Sequence, residues 1–300
     1  MLRWLLPFLI FGVIEYYSFQ TIKTATRSKW LLVFYIVTSV LFVAYLFYFF
    51  FTHSRGQGQN RQTLWTMGFF LLIYLPKIVM TLILLSEDIF RLLSGIFNYV
   101  SSSTTKNSFL PERRKFISQV ALGLAAIPFT SLIYGMTKGK YNFKVIKQTL
   151  FFPDLPESFD GTTITHISDI HSGSFDDKEK IEYAIDLINT QKSDLVLFTG
   201  DIVNTKADEM YPWIDTFKKI HNPILGKYSV LGNHDYGEYY QWNSKQEKEQ
   251  NFTEIKDLHR QIDFKLLLNE NVEIKKGNDS IKLIGVENWG VKFKQAGDLK

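Results

Sequence analysis

The chain has 300 residues, 46% of them hydrophobic, with 26 Phe, 15 Tyr and no Cys. That length allows one or two domains, and a net charge of +4 is too small to argue for a nucleic-acid binder. The absence of Cys excludes disulfides and thiolate metal sites, but places the chain on neither side of a membrane.

The composition divides the chain. Residues 1–136 are dominated by Leu, Ile, Phe, Val and Tyr, whereas residues 137–300 carry Lys, Asp, Glu and Asn throughout. A bilayer core takes roughly 20 apolar residues of helix. In chain order, residues 2–22, 30–51, 63–85 and 116–136 approach that requirement, so about four transmembrane helices are expected. Glu15 interrupts the first, and Leu75, Pro76 and Lys77 interrupt the third. Residues 90–100 are too short to span and read as an interfacial helix. The first segment could be a secretory signal peptide, but its aromatic run and its lack of a small-residue cleavage site argue against that. Ionisable groups within a membrane default to a functional hypothesis. Glu15 and Lys77 belong to no relay pattern, however, so the expectation is that each snorkels to an interface or pairs inside the bundle.

Orientation follows the Lys and Arg content of short loops. The first loop carries Lys23, Arg27 and Lys29, the second Arg55 and Arg61, and the third Lys106, Arg113, Arg114 and Lys115. Loops one and three are therefore expected on the cytoplasmic side, which leaves the C-terminal domain outside. Lys138, Lys140, Lys144 and Lys147 weigh against this, although long domains translocate largely regardless of charge. "RRKFI" at residues 113–117 resembles a twin-arginine export signal and reads equally well as a positive-inside anchor.

The second half alternates strands and helices. Residues 141–152 and 160–169 have strand character. Residues 176–191 place Ile181, Ala184, Ile185 and Ile188 at helical spacing, with acids in the first turn. Residues 193–201 form a continuous apolar run, as expected of a buried parallel strand. Residues 207–220 read as a helix whose start is marked by Pro212, residues 226–235 as another strand, and residues 245–262 as a polar amphipathic helix. Residues 264–288 alternate like a hairpin turned by Gly277, Asn278 and Asp279. Strand–helix alternation implies a largely parallel sheet with right-handed crossovers.

Three of these strands end alike. "SDIHSG" offers Asp169 and His171, "TGDIVN" offers Asp201, and "LGNHDYG" offers Asn233, His234 and Asp235. The spacing from Asp169 to Asp201 is 32 residues, and from Asp201 to Asn233 it is 32 again. About 30 residues make one βαβ unit, so each repeat returns the chain to the same sheet edge, where open α/β sheets bind ligands. Gly200 and Gly232 allow tight turns and close backbone approach there. Carboxylate, imidazole and amide oxygen suit Mn, Fe or Zn. A carboxylate such as Asp201 can bridge two metals, and two ions about 3.5–4 Å apart can clamp a phosphate and activate water. His234 would then stabilise charge or act as leaving-group acid, and Asp235 could orient its imidazole from the second shell. Taken singly, each motif could also be a polar turn or a helix cap.

Together, "DIH", "GDIVN" and "GNHD" resemble the calcineurin-like metallophosphoesterases. The membrane region followed by "THISDIHSG" resembles their membrane-anchored bacterial branch, which includes enzymes that hydrolyse the pyrophosphate of UDP-2,3-diacylglucosamine. The resemblance implies an αββα sandwich of mixed sheets behind the membrane region. It implies metal ligands at Asp169, His171, Asp201 and Asn233, a proton-donating His234, and two divalent metal ions. It also implies a phosphorylated, lipid-linked or envelope substrate, membrane lipids as surroundings, and no nucleic acid. The family's lone His and its G-H-x-H are not found after His234, where the one further histidine is His259. The C-terminal part of the site is therefore expected beyond residue 300. A non-catalytic binding or sensing module that retains the fold is the alternative.

Overall fold

The computed structural model describes residues 2–52, 58, 60–101 and 111–298. Arg55 and Lys106, which entered the orientation argument, lie outside them. The chain divides into two compact units, one of long helices and one containing residues 141–298.

The helical unit contains α1 (Leu2–Ala25), α2 (Lys29–Thr52), α3 (Arg61–Val100) and α4 (Pro111–Thr137). Among the described residues, α2, α3 and α4 are long and apolar enough to cross a membrane. α3 runs unbroken for 40 residues, through Pro76 and through the separate interfacial segment expected at residues 90–100. The polar step at Glu87 and Asp88 does not end the helix because Arg114 of α4 bonds both carboxylates. Glu15 and Lys77 meet: Lys77 Nζ donates to Glu15 Oε1 at 2.7 Å, to Glu15 Oε2 at 2.8 Å and to Ser39 Oγ at 2.9 Å. The Tyr35 hydroxyl adds a bond to the same carboxylate at 3.0 Å. One ammonium thus ties α1, α2 and α3 together, where an unpaired charge in hydrocarbon would be expensive.

The second unit is α/β. β1 (Ile164–Ile167), β2 (Leu195–Phe198), β3 (Lys227–Ser229) and β4 (Lys265–Leu266) form one sheet in the order β1-β2-β3-β4, with every pair parallel. β5 (Glu270–Lys276) and β6 (Asp279–Gly285) form an antiparallel hairpin. α5 (Lys178–Thr190), the short α6 (Ile214–Phe217) and α7 (Lys245–Gln261) connect the parallel strands. Asp177 caps α5 by accepting from Lys180 N, and Ser244 caps α7 by accepting from Glu247 N, which satisfies amide groups that a helix start leaves free.

Side chains alternate faces along a strand, and β2 is buried on both. Val196 and Phe198 join Ile181 and Ile185 of α5 and Ile255 and Leu258 of α7. Leu195 and Leu197 instead meet Phe159, Leu225 and Ile274, with Ile281 and Leu283 of the hairpin. The sheet therefore sits between a helical layer and a hairpin layer, which is why β2 reads as a continuous apolar run.

Two local expectations differ from the fold. Residues 142–152 form no strand: their alternation finds no partner edge, and Ile146 and Phe151 are exposed. Residues 207–220 are not one helix. Two 3₁₀ turns, Ala207–Glu209 and Tyr211–Trp213, precede α6, because Pro212 has no N–H to continue a ladder through this stretch.

Candidate metal centre

The parallel register aligns Ile167 with Phe198, and Phe198 with Ser229, so the three strands end at one edge. The loops that follow continue the pairing: Asp169 N donates to Gly200 O at 3.1 Å, and His171 N to Asp201 O at 2.9 Å. Three of the expected ligands occupy the left-handed region, Asp169 at φ 53°, His171 at φ 46° and Asp201 at φ 57°. This conformation is uncommon for residues with a Cβ and collects at functional sites. The turns are too tight for side chains elsewhere. A Cβ on Gly200 would come within 2.0 Å of Gly232 N, and one on Gly232 within 2.2 Å of Asp201 Oδ1.

The donor atoms converge. His171, Asp201 and His234 each place a ligand atom within 4.8 Å of the others. His171 Nε2 lies 3.7 Å from Asp201 Oδ2 and 3.8 Å from Asp169 Oδ1. These separations are too long for hydrogen bonds and suit donors arranged around a shared cation. His171 Nδ1 is buried with no hydrogen-bond partner among the described residues. Imidazole and carboxylate at these spacings, in a site without thiolates, fit a divalent ion of the Mn, Fe or Zn type. Asp201 is buried, whereas Asp169 is exposed and accepts from Ser168 Oγ at 2.5 Å.

His234 sits opposite, its ring edge-to-face with His171 at 4.7 Å. Its backbone N donates to Asp201 Oδ1 at 2.8 Å. Its Nδ1 lies 2.6 Å from Asn204 O; a carbonyl can only accept, so Nδ1 carries the hydrogen and Nε2 is left for chemistry. Asp235 does not orient this imidazole. Its carboxylate is fully buried and accepts from Asp201 N at 2.8 Å, Ile202 N at 3.0 Å and Gly232 N at 2.9 Å. Burial pushes the Asp235 carboxyl up to about 7, against the pull of those amides. Asp235 supports the site by clamping the two loops that carry Asp201 and Asn233.

Three further residues belong to the arrangement and carried no sequence signal of their own. Asn204 supplies the carbonyl for His234. Glu209 gathers the amides of Asn204, Thr205 and Lys206, and burial raises its carboxyl above the usual range. Tyr239 stacks on His234 at 4.3 Å and bonds Asn233. "GDIVN" contains Asn204, but nothing in a sequence marks a backbone acceptor.

His259 is not at the site. It is buried in α7, stacked on Phe198 at 5.4 Å, and neither ring nitrogen has a partner among the described residues. Burial drives its pKa down to about 3. A folded-state pKa below the unfolded value of about 6.5 means that the unfolded chain takes up the proton first. The neutral ring's contribution is complete above pH 6.5 and is lost as pH falls from there toward 3, at about 1.4 kcal/mol per pH unit within that window. His259→Phe is expected to unfold at higher temperature than wild type at pH 5 and to show a flatter acid limb. Equal pH slopes for the two proteins in thermal melts from pH 7 to 4 would count against this.

Residues 162–294 match the family model described as calcineurin-like phosphoesterase, and residues 2–140 match that of a probable calcineurin-like phosphoesterase transmembrane domain. The chain is 30% identical over 132 residues to an uncharacterized metallophosphoesterase of Bacillus subtilis, covering 42% of this chain and 46% of the relative. It is 23% identical over 270 residues to one of Campylobacter jejuni, covering 89% and 64% respectively. It is 28% identical over 104 residues to a transmembrane protein with metallophosphoesterase domain of Danio rerio, covering 35% and 24%. In each case the chain spans less than two thirds of the relative's length. No solved structure matches. The two family models match in tandem, so the chain is similar to calcineurin-like phosphoesterases over residues 162–294 and to a transmembrane domain associated with them over residues 2–140.

Proposed function

We propose that the protein is a membrane-anchored hydrolase that cleaves a phosphoester or pyrophosphate bond, with residues 1–136 as anchor and residues 137–300 carrying the chemistry. The observation behind this reading is the convergence of His171, Asp201 and His234 at the carboxyl edge of a parallel sheet. Asp169, His171, Asp201 and Asn233 would hold two divalent ions, and the two oxygens of Asp201 would allow it to serve both. When bound, such ions polarise phosphoryl oxygens and lower the pKa of the attacking water. His234 does the proton work: its Nδ1–H is held by Asn204 O, which leaves the Nε2 lone pair to take up a proton and pass it to the leaving-group oxygen. Asp235 keeps the ligand loops in register from behind.

A lipid or envelope substrate is the reading that best suits the anchor, since an anchored domain acts near headgroups. Lys206 supports an anionic substrate. Its ammonium lies 4.0 Å from the Tyr240 ring and 5.7 Å from that of Trp242, two residues beyond the Asn204 that holds His234. The cytoplasmic bias of Lys and Arg in the first and third loops supports an extracytoplasmic domain. The test is turnover of bis-p-nitrophenyl phosphate by purified full-length protein, stripped with chelator and then supplied with Mn²⁺. Turnover should vanish on stripping and return with metal. Protein that neither binds Mn²⁺ nor hydrolyses the diester would refute the enzyme reading.

A further inference from the structure

Asn233 can ligate a cation only through Oδ1, because its Nδ2 carries two hydrogens and no free lone pair. The amide must therefore be held with Nδ2 turned away, and Nδ2 needs an acceptor. The Tyr239 hydroxyl stands 2.6 Å from Asn233 Nδ2. The same side chain lays its ring on His234, with centroids 4.3 Å apart and planes 28° from parallel. One residue thus touches two neighbours with different assigned roles, the ligand and the acid.

The loop is built to bring Tyr239 there. The 3₁₀ turn His234–Tyr236 ends at Gly237 in the left-handed conformation, φ 64°, which reverses the chain at low steric cost. Trp242 Nε1 donates to Gly237 O at 2.7 Å. The Trp242 ring lies 3.0 Å from where a Cβ on Gly237 would be, so the reversal is pinned from outside. The chain returns over His234 two residues later.

We propose that Tyr239 is a positioning residue of the metal centre. Its hydroxyl takes the Nδ2 hydrogen of Asn233 and so presents Oδ1 to the ion, while its ring fixes the plane of the His234 imidazole. This rests on the assignment of Asn233 as a ligand. Partners that orient metal ligands typically account for 10–100-fold in affinity. Tyr239→Phe keeps the ring and deletes only the acceptor, and Tyr239→Leu deletes both.

The test is equilibrium Mn²⁺ binding to chelator-stripped full-length protein, followed by the electron paramagnetic resonance signal of free Mn²⁺, with Asp201→Ala as control. Tyr239→Phe is expected to raise the Mn²⁺ Kd about tenfold while leaving the melting temperature of the metal-free protein unchanged. Tyr239→Leu should weaken binding at least as much and, at saturating Mn²⁺, also lower kcat through the loosened His234. If Tyr239→Phe binds Mn²⁺ as tightly as wild type while Asp201→Ala loses it, the positioning role is wrong and the metal centre stands. If Tyr239→Phe melts at lower temperature without metal by as much as with it, the residue is merely structural and the proposal is overturned. If wild type binds no more Mn²⁺ than Asp201→Ala, both readings fall.

Discussion

Replacing Asp201 with alanine is expected to reduce Mn²⁺-dependent diester hydrolysis to the rate without enzyme. Its carboxylate and its carbonyl both hold neighbouring site residues. Oδ1 accepts from His234 N at 2.8 Å, Oδ2 faces His171 Nε2 at 3.7 Å, and the residue's own carbonyl receives His171 N at 2.9 Å. Alanine keeps the last contact and loses the other two, so the loop persists while the donor set opens. A buried carboxylate with two lone-pair-rich oxygens would also suit the proposed sharing of one ligand between two ions. Asp201→Asn is the sharper variant, because it keeps the shape and one acceptor oxygen while removing the charge that balances the cations. Both variants should remain folded, with unchanged circular dichroism and far weaker Mn²⁺ binding. Wild-type turnover in folded Asp201→Ala would refute the shared-ligand role.

The parts legible in the sequence were those written as local patterns. The apolar run at residues 195–198 is buried on both faces, and each face has its own partner layer. The 32-residue repeat of strand-end motifs works because neighbouring parallel strands end in register. The hairpin at residues 270–285 needed only alternation and a glycine turn. Patterns whose meaning depends on distant chain were not legible. Residues 142–152 alternate like a strand yet have no edge to join. Residues 90–100 read as a separate interfacial helix yet continue α3, where Arg114 of α4 bonds Glu87 and Asp88. Lys77 and Glu15 are 62 positions apart, so nothing local names either as the other's partner. Within the site, the ligand types announced themselves and their supports did not. His234 is held by a carbonyl, Asp235 binds amides, and Tyr239 arrives by a chain reversal, and none of these contacts is encoded in residue type alone.

The second large effect is structural. Asp235→Ala is expected to destabilise the phosphoesterase domain by about 3–5 kcal/mol. The carboxylate lies at zero exposure and is the acceptor for three amides, Asp201 N, Ile202 N and Gly232 N. Removing it strands those donors where water does not reach, and each buried unsatisfied group costs about 1–3 kcal/mol. Part of that cost is offset because the wild-type carboxyl is itself penalised by burial, which is what pushes it up to about 7. Asp235→Asn should fall between the two. An amide can place one oxygen where Oδ2 accepts from Asp201 N and Gly232 N, but its nitrogen then faces the Ile202 N–H, donor against donor. The order wild type, Asn, Ala should therefore hold in chemical denaturation of the full-length protein. In hydrogen exchange, the amides of Asp201, Ile202 and Gly232 should lose protection before those of β2. The loops bearing Asp201 and Asn233 are the ones the clamp joins, so Mn²⁺ affinity should follow the same order. Equal denaturation midpoints for wild type and Asp235→Ala would show that the clamp contributes nothing to holding the site.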